Sequence, residues 1–132
     1  MLYALGFKFY DKDDILIDDC CGGRMKDIAR IDDTAAAEEV RQSVFTIACD
    51  VDTPFCGPEG AAPVFAPQKG ADAEMVKNLD AGMHSLAQVI TNTYGINLVS
   101  VAGTGAAGGM GGAFYAFLGA KLQKGINKRL FA

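Results

Sequence analysis

Two carboxylates, Asp50 and Asp52, stand two residues apart at the end of the apolar run 44–49. Alternate residues of a strand point to the same face. If 44–49 is a strand, both acids converge at its tip. A pair of this kind can hold Mg²⁺ through its waters, or one carboxylate can take a hydroxyl proton while the other orients it. Asp52-Thr53-Pro54 is also a good turn starter, so the same carboxylates could bond nearby backbone instead. About twenty residues on stand Gln68, Lys69 and Gly70. Lys69 is a mobile point charge suited to a phosphate or carboxylate, and Gln68 can both donate and accept.

A second chemical feature is the stretch Gly103-Thr104-Gly105-Ala106-Ala107-Gly108-Gly109-Met110-Gly111-Gly112. Its Gly-x-Gly-x-x-Gly spacing matches a dinucleotide fingerprint on paper. That fingerprint needs an acid about 20 residues later to hold a ribose, and no acid follows Asp80. Nor does a Gly-Lys-Ser/Thr close a phosphate loop. Each glycine inside a helix costs about 1 kcal/mol relative to alanine. Gly108, Gly109, Gly111 and Gly112 therefore call for close backbone approach, to a packed neighbour or to a ligand. A helix starting here would offer free N–H groups and its positive end to an anion. Tight packing and an anion pocket both remain open at this point.

The elements that must position these residues are only partly periodic. The clearest is a helix over 73–94, where Val76, Leu79, Met83, Leu86, Ile90 and Tyr94 recur at helical spacing. Asp72 is its expected N-cap and Gly95 its stop. His84 falls with Asp80 and Gln88 on the opposite face, which reads as solvated. The strand 44–49 is rich in β-formers. Residues 7–10 and 15–17 flank the turn Asp11-Lys12-Asp13-Asp14, a hairpin signal. Leu2 and Leu5 read as the last turn of a helix stopped by Gly6. Gly22-Gly23 opens a short helical segment, 31–34 reads as a loop, 35–42 as a short helix, and 97–102 as a short strand. The glycine stretch runs into a helix around Phe114, Phe117 and Leu118. Strands alternating with helices predict an α/β fold, or α+β, with helices packed on one mixed β-sheet.

The 132 residues suit a single domain, 1–132. Half are hydrophobic and 21% charged, which reads as globular. Apolar runs fall far short of the ~20 residues of a membrane span, and the start lacks a signal peptide's basic flank and cleavage site, so no membrane and a cytoplasmic setting are expected. All 16 acids lie in residues 1–80 beside 8 Lys/Arg, whereas 81–132 carries only Lys121, Lys124, Lys128 and Arg129. That weakly positive half suits a small anion better than nucleic acid, which would draw a denser basic cluster. Cys20, Cys21, Cys49 and Cys56 form no Cys-x-x-Cys pair, so buried, inert thiols are expected in place of a zinc site or disulfides.

Several long motifs in register resemble the bacterial glycerate kinase family. They are Ala48-Cys49-Asp50-Val51-Asp52-Thr53-Pro54-Phe55-Cys56-Gly57, Gly60-Ala61, Phe65-Ala66-Pro67-Gln68-Lys69-Gly70-Ala71, Leu79-Asp80 and 103–109, with Ala4-Leu5-Gly6, Leu118-Gly119-Ala120 and Gly125-Ile126 as lesser matches. Thr53, Phe55 and Thr104 depart from the family's usual Asn, Leu and Ala. The resemblance implies transfer of the ATP γ-phosphoryl group to a hydroxyl of D-glycerate with Mg²⁺. It implies catalytic and metal roles for Asp50 and Asp52, and substrate or phosphate contacts at Gln68, Lys69, Gly70, Gly103, Gly105, Gly108 and Gly109. It further implies that these residues are the inserted second domain of a longer two-domain kinase, inactive alone; without its parent domain an exposed apolar face would favour a homodimer. The alternatives are a binding or scaffold domain of the same fold, which transfers nothing, and a small nucleotide-binding protein, which the missing ribose acid disfavours.

Overall fold

The computed structural model describes residues 1–125; Ile126, Lys128 and Arg129, named above, lie outside the described residues. The chain opens with a 3-10 turn, Leu2–Leu5, stopped by Gly6 at φ 96°. Strand β1 (Lys8–Tyr10) follows. Its regular strand partner lies beyond 15–17. It pairs antiparallel with β2 (Arg30–Asp32), Phe9 lying opposite Ile31. The expected hairpin forms as well: the Asp11 amide donates to the Ile15 carbonyl at 3.0 Å and the Ile17 amide to the Phe9 carbonyl at 2.8 Å. The Asp11 carboxylate accepts the amides of Asp13 and Ile15, and Tyr10 and Leu16 form an isolated bridge. Asp14 sits at φ 62° in the turn, a left-handed conformation that Asp adopts more readily than most residues. The side chain of Ile17 then drops into the core. The reading of 31–34 as a loop fails at Ile31 and Asp32. Burial of Ile31 and the pairing of Arg30 with Asp14 hold β2 in place.

A 3-10 segment, Gly22–Asp27, fills the expected short helical stretch. Beyond β2 come α1 (Glu38–Gln42), β3 (Thr46–Cys49) and α2 (Ala61–Phe65). Helix α3 (Ala73–Tyr94) has the expected ends: the Asp72 carboxylate accepts the Met75 amide at 2.8 Å, and Gly95 stops it at φ 71°. Met83 and Ile90 are buried, and Val76, Leu79, Leu86 and Tyr94 pack beside them. The strand expected over 97–102 is instead a 3-10 turn, Leu98–Ser100. The Asn97 side chain caps it through the Val99 amide, and Leu98 is wholly buried. Helix α4 (Ala106–Leu118) ends at Gly119, and β4 (Lys121–Lys124) returns parallel to β3, with Thr46 opposite Lys121 and Cys49 opposite Lys124.

The α/β mixture is as expected, but the single mixed sheet is two separate two-stranded pieces, one antiparallel and one parallel. Helices α2, α3 and α4 form the crossover between β3 and β4, as a parallel pair requires. The core gathers Phe7, Phe9, Ile17, Ile28 and Ile31 against α3. The Phe117 ring closes it edge-on to Phe7 and Phe9, with centroids 5.4 and 5.9 Å apart. The run 44–49 is less buried than its composition implies: Val44 is 86% exposed and within β3 only Cys49 is buried. Among the described residues no helix is long and apolar enough to cross a membrane.

Candidate functional site

The parallel pairing of β3 with β4 decides what surrounds the two aspartates. Cys49 is buried, and its thiol lies 3.1 Å from the Val51 carbonyl. The chain then turns outward, leaving Asp50 and Asp52 exposed at the carboxyl ends of both strands. Lys124 Nζ donates to Asp52 Oδ2 at 3.0 Å. Asp50 Oδ1 lies 3.9 Å from the point where a Cβ on Gly125 would stand. The cation beside the pair is therefore Lys124, carried by β4, and not Lys69. Sequence reasoning missed it because Lys121-Leu122-Gln123-Lys124 lacks β-branched residues. The available signal was a helix stop, Gly119, followed by a strand-length segment.

The glycine stretch meets this strand end. A Cβ on Gly103 would lie 3.2 Å from Cys49 Sγ and 3.3 Å from the Val51 carbonyl oxygen. One on Gly105 would overlap the Pro54 carbonyl, and the Gly105 amide donates to Thr53 at 2.9 Å. Close packing therefore accounts for Gly105. The Gly109 amide is likewise used, donating to Gly105 at 3.1 Å. The anion-binding backbone expected at Gly105 and Gly109 is thus already engaged within the chain. Helix α4 is broken at Ala107, Gly108 and Gly109, all with positive φ. A Cβ on Gly108 would face open space.

Gln68, Lys69 and Gly70 form an exposed corner. The 3-10 turn Pro67–Lys69 follows α2 directly, with Gly70 at φ 94°. Among the described residues no carboxylate pairs with Lys69 within 4.0 Å. The structure thus brings Asp50, Asp52, Gly103 and Gly105 together and adds Lys124, and it records no contact between them and the corner at 68–70.

Beyond Asp52 the chain is anchored from behind. Phe55 and Cys56 are buried. The Gly57 amide donates to Asp80 Oδ1 at 2.8 Å, His84 Nε2 lies 3.5 Å from Asp80 Oδ2, and His84 Nδ1 lies 3.4 Å from Cys56 Sγ. Burial first, and the Asp80 charge second, push the Cys56 thiol up to about 11. Cys56 is accordingly a protonated thiol and no nucleophile at neutral pH. His84 is exposed, as expected, but both ring nitrogens face a partner. Of the four free thiols, Cys49 and Cys56 are buried while Cys20 and Cys21 are exposed, against the expectation for that pair.

An open apolar groove of about 550 Å³ lies elsewhere on the surface. Gly108, Gly109, Phe55 and Met83 line it, and Asp50, Asp52, Gln68 and Lys69 do not. Among the described residues no group of three or more His, Cys, Asp or Glu could enclose a metal ion. Two exposed aspartates still suit a hard cation that keeps most of its waters, with Lys124 competing for Asp52.

Residues 1–129 match the model of the glycerate kinase family. The chain is similar to glycerate 2-kinase of Escherichia coli K12, 40% identical over 126 residues that cover 96% of this chain and 33% of that protein. It is similar to glycerate kinase of Halalkalibacterium halodurans, 42% identical over 105 residues, covering 80% and 28%. Its fold is similar to the crystal structure of a protein assigned as glycerate kinase 2 from Salmonella typhimurium LT2, with a TM-score of 0.91 and 39% identity over 97% of this chain and 34% of that one. The chain thus spans about a third of the length of the relatives it matches.

Proposed function

The chain belongs to the glycerate kinase family, and on that premise we propose that it forms one side of a cleft where a phosphoryl group passes from ATP to a hydroxyl of D-glycerate. Residues 1–132 would be a single domain of a longer, cytoplasmic kinase of family length. Asp50 takes the hydroxyl proton as that oxygen attacks the γ-phosphorus and the bond to the ADP oxygen breaks. Phosphoryl transfer depends mainly on position and charge neutralisation. Mg²⁺, held through water by Asp50 and Asp52, supplies that neutralisation when bound. Gln68, Lys69 and Gly70 contact the glycerate carboxylate or a phosphate, and backbone at Gly103 and Gly108 approaches the transferred group. Self-association of the isolated chain through its exposed apolar groove belongs to the same proposal.

One observation carries this reading. Asp50 and Asp52 stand at the carboxyl ends of two parallel strands, against the glycine turn, where open α/β sheets place their ligands. The test is Asp50→Asn in the full-length kinase, read by coupled ADP release with D-glycerate. Loss of an acid–base group of this kind lowers turnover about 10²–10⁴-fold. Turnover near the wild-type value would remove Asp50 from the mechanism. A wild-type protein with no glycerate-dependent ADP release would remove the function itself.

A further inference from the structure

The segment 50–57 carries both aspartates yet belongs to no strand or helix. Its first end is fixed by the register of Cys49 with Lys124. The middle is held by the Gly105 amide on Thr53 and by burial of Phe55 and Cys56. At the far end, Gly57 has φ 104° and its amide points at one acceptor, Asp80 Oδ1, 2.8 Å away. Asp80 projects from the middle of α3, the longest helix of the described residues and one capped at both ends. A carboxylate accepting a backbone amide makes one of the stronger kinds of protein hydrogen bond.

The geometry points to Asp80 as a positioning residue that fixes the Asp50–Asp52 segment for phosphoryl transfer, an inference that rests on the kinase reading above. Asp80 touches no reacting group. It acts through Gly57, and its other oxygen faces His84 Nε2. The protonated Cys56 thiol faces His84 Nδ1. One tautomer suits both neighbours: the thiol donates to Nδ1, and Nε2–H faces Asp80 Oδ2 at 3.5 Å. Asp80, His84 and Cys56 thus close a ring around the end of the segment, and a shift of Gly57 must break it. Small displacements of catalytic groups are costly when transfer depends on alignment.

The test pairs two measurements on Asp80→Ala, Asp80→Ser and Asp80→Asn. Hydrogen exchange of the Gly57 amide is followed by NMR in the 132-residue chain. Values of kcat and KM are measured by ADP release in the full-length kinase, per folded molecule. Asp80→Ala should speed Gly57 exchange about tenfold or more and lower kcat about tenfold or more, with little change in the KM for glycerate. Asp80→Asn keeps an oxygen acceptor and should recover part of both. Across whichever variants fold, kcat should follow Gly57 protection. A variant that loses protection and keeps wild-type kcat overturns the positioning role, and so does one that keeps protection and loses tenfold in kcat. If wild-type kinase turns over glycerate and these outcomes appear, only the role of Asp80 fails; if wild-type shows no turnover, the kinase reading fails and this role with it.

Discussion

Asp50 and Asp52 have the same chemistry and different neighbours. Asp52 is paired with Lys124 and Asp50 stands beside Gly125. Both members of the ion pair are well exposed, and such pairs contribute less than about 1 kcal/mol. Lys124→Ala should therefore leave the urea midpoint almost unchanged, while in the full-length kinase it should alter the Mg²⁺ dependence of turnover by freeing Asp52. Cys56 provides a pH prediction. Its thiol rises from 9.0 to about 11 in the folded chain. Below pH 9 it is neutral in both states. As pH climbs from about 9 to about 11, the unfolded chain loses this proton first, so stability falls over that window. Denaturant melts across it should show a shallower decline for Cys56→Ala than for wild type; equal slopes would sink the assignment. The aspartate pair was legible from spacing alone. Lys124 was not, because its relation to Asp52 exists only once β4 pairs with β3, 72 residues apart along the chain.

Among the elements, α3 was readable because 22 residues of periodic sequence, an N-cap and a glycine stop all agree. Of the strands of three or four residues, β1 and β3 fall within the expected 7–10 and 44–49, whereas β2 and β4 were not legible. β1 lies between its neighbour 15–17, which it meets through Phe9 and Asp11, and the distant β2, where Ile31 adds a buried side chain opposite Phe9. The glycines of α4 are best explained at Gly112, where a Cβ would stand 2.6 Å from the Phe55 ring. Gly112→Ala should destabilise the chain by roughly 1–3 kcal/mol through overpacking, measurable as a lower denaturant midpoint. Because Phe55 anchors the segment behind Asp52, the same substitution should also reduce kinase turnover. Asp72→Ala should cost about 1 kcal/mol through the lost cap on Met75, with turnover per folded molecule retained.

For the molecule as a whole, the chain matches about a third of each relative and presents an open apolar groove and, apart from it, an exposed strand end. The 132-residue chain alone should release no ADP with glycerate present, since it offers one side of the proposed cleft; robust turnover in a coupled assay would refute that. By itself the sequence determined the α/β mixture, the long helix with both its caps, and the family. These follow from local preference, periodicity and motif order, all written along one stretch of chain. Tertiary structure alone decided that the sheet is two pieces, that Lys124 and not Lys69 meets the acids, that Gly105 is packed against backbone, and that Asp80 reaches Gly57. Each of these joins residues far apart in sequence, and close contact between distant segments is fixed only when the core and its strand pairings form.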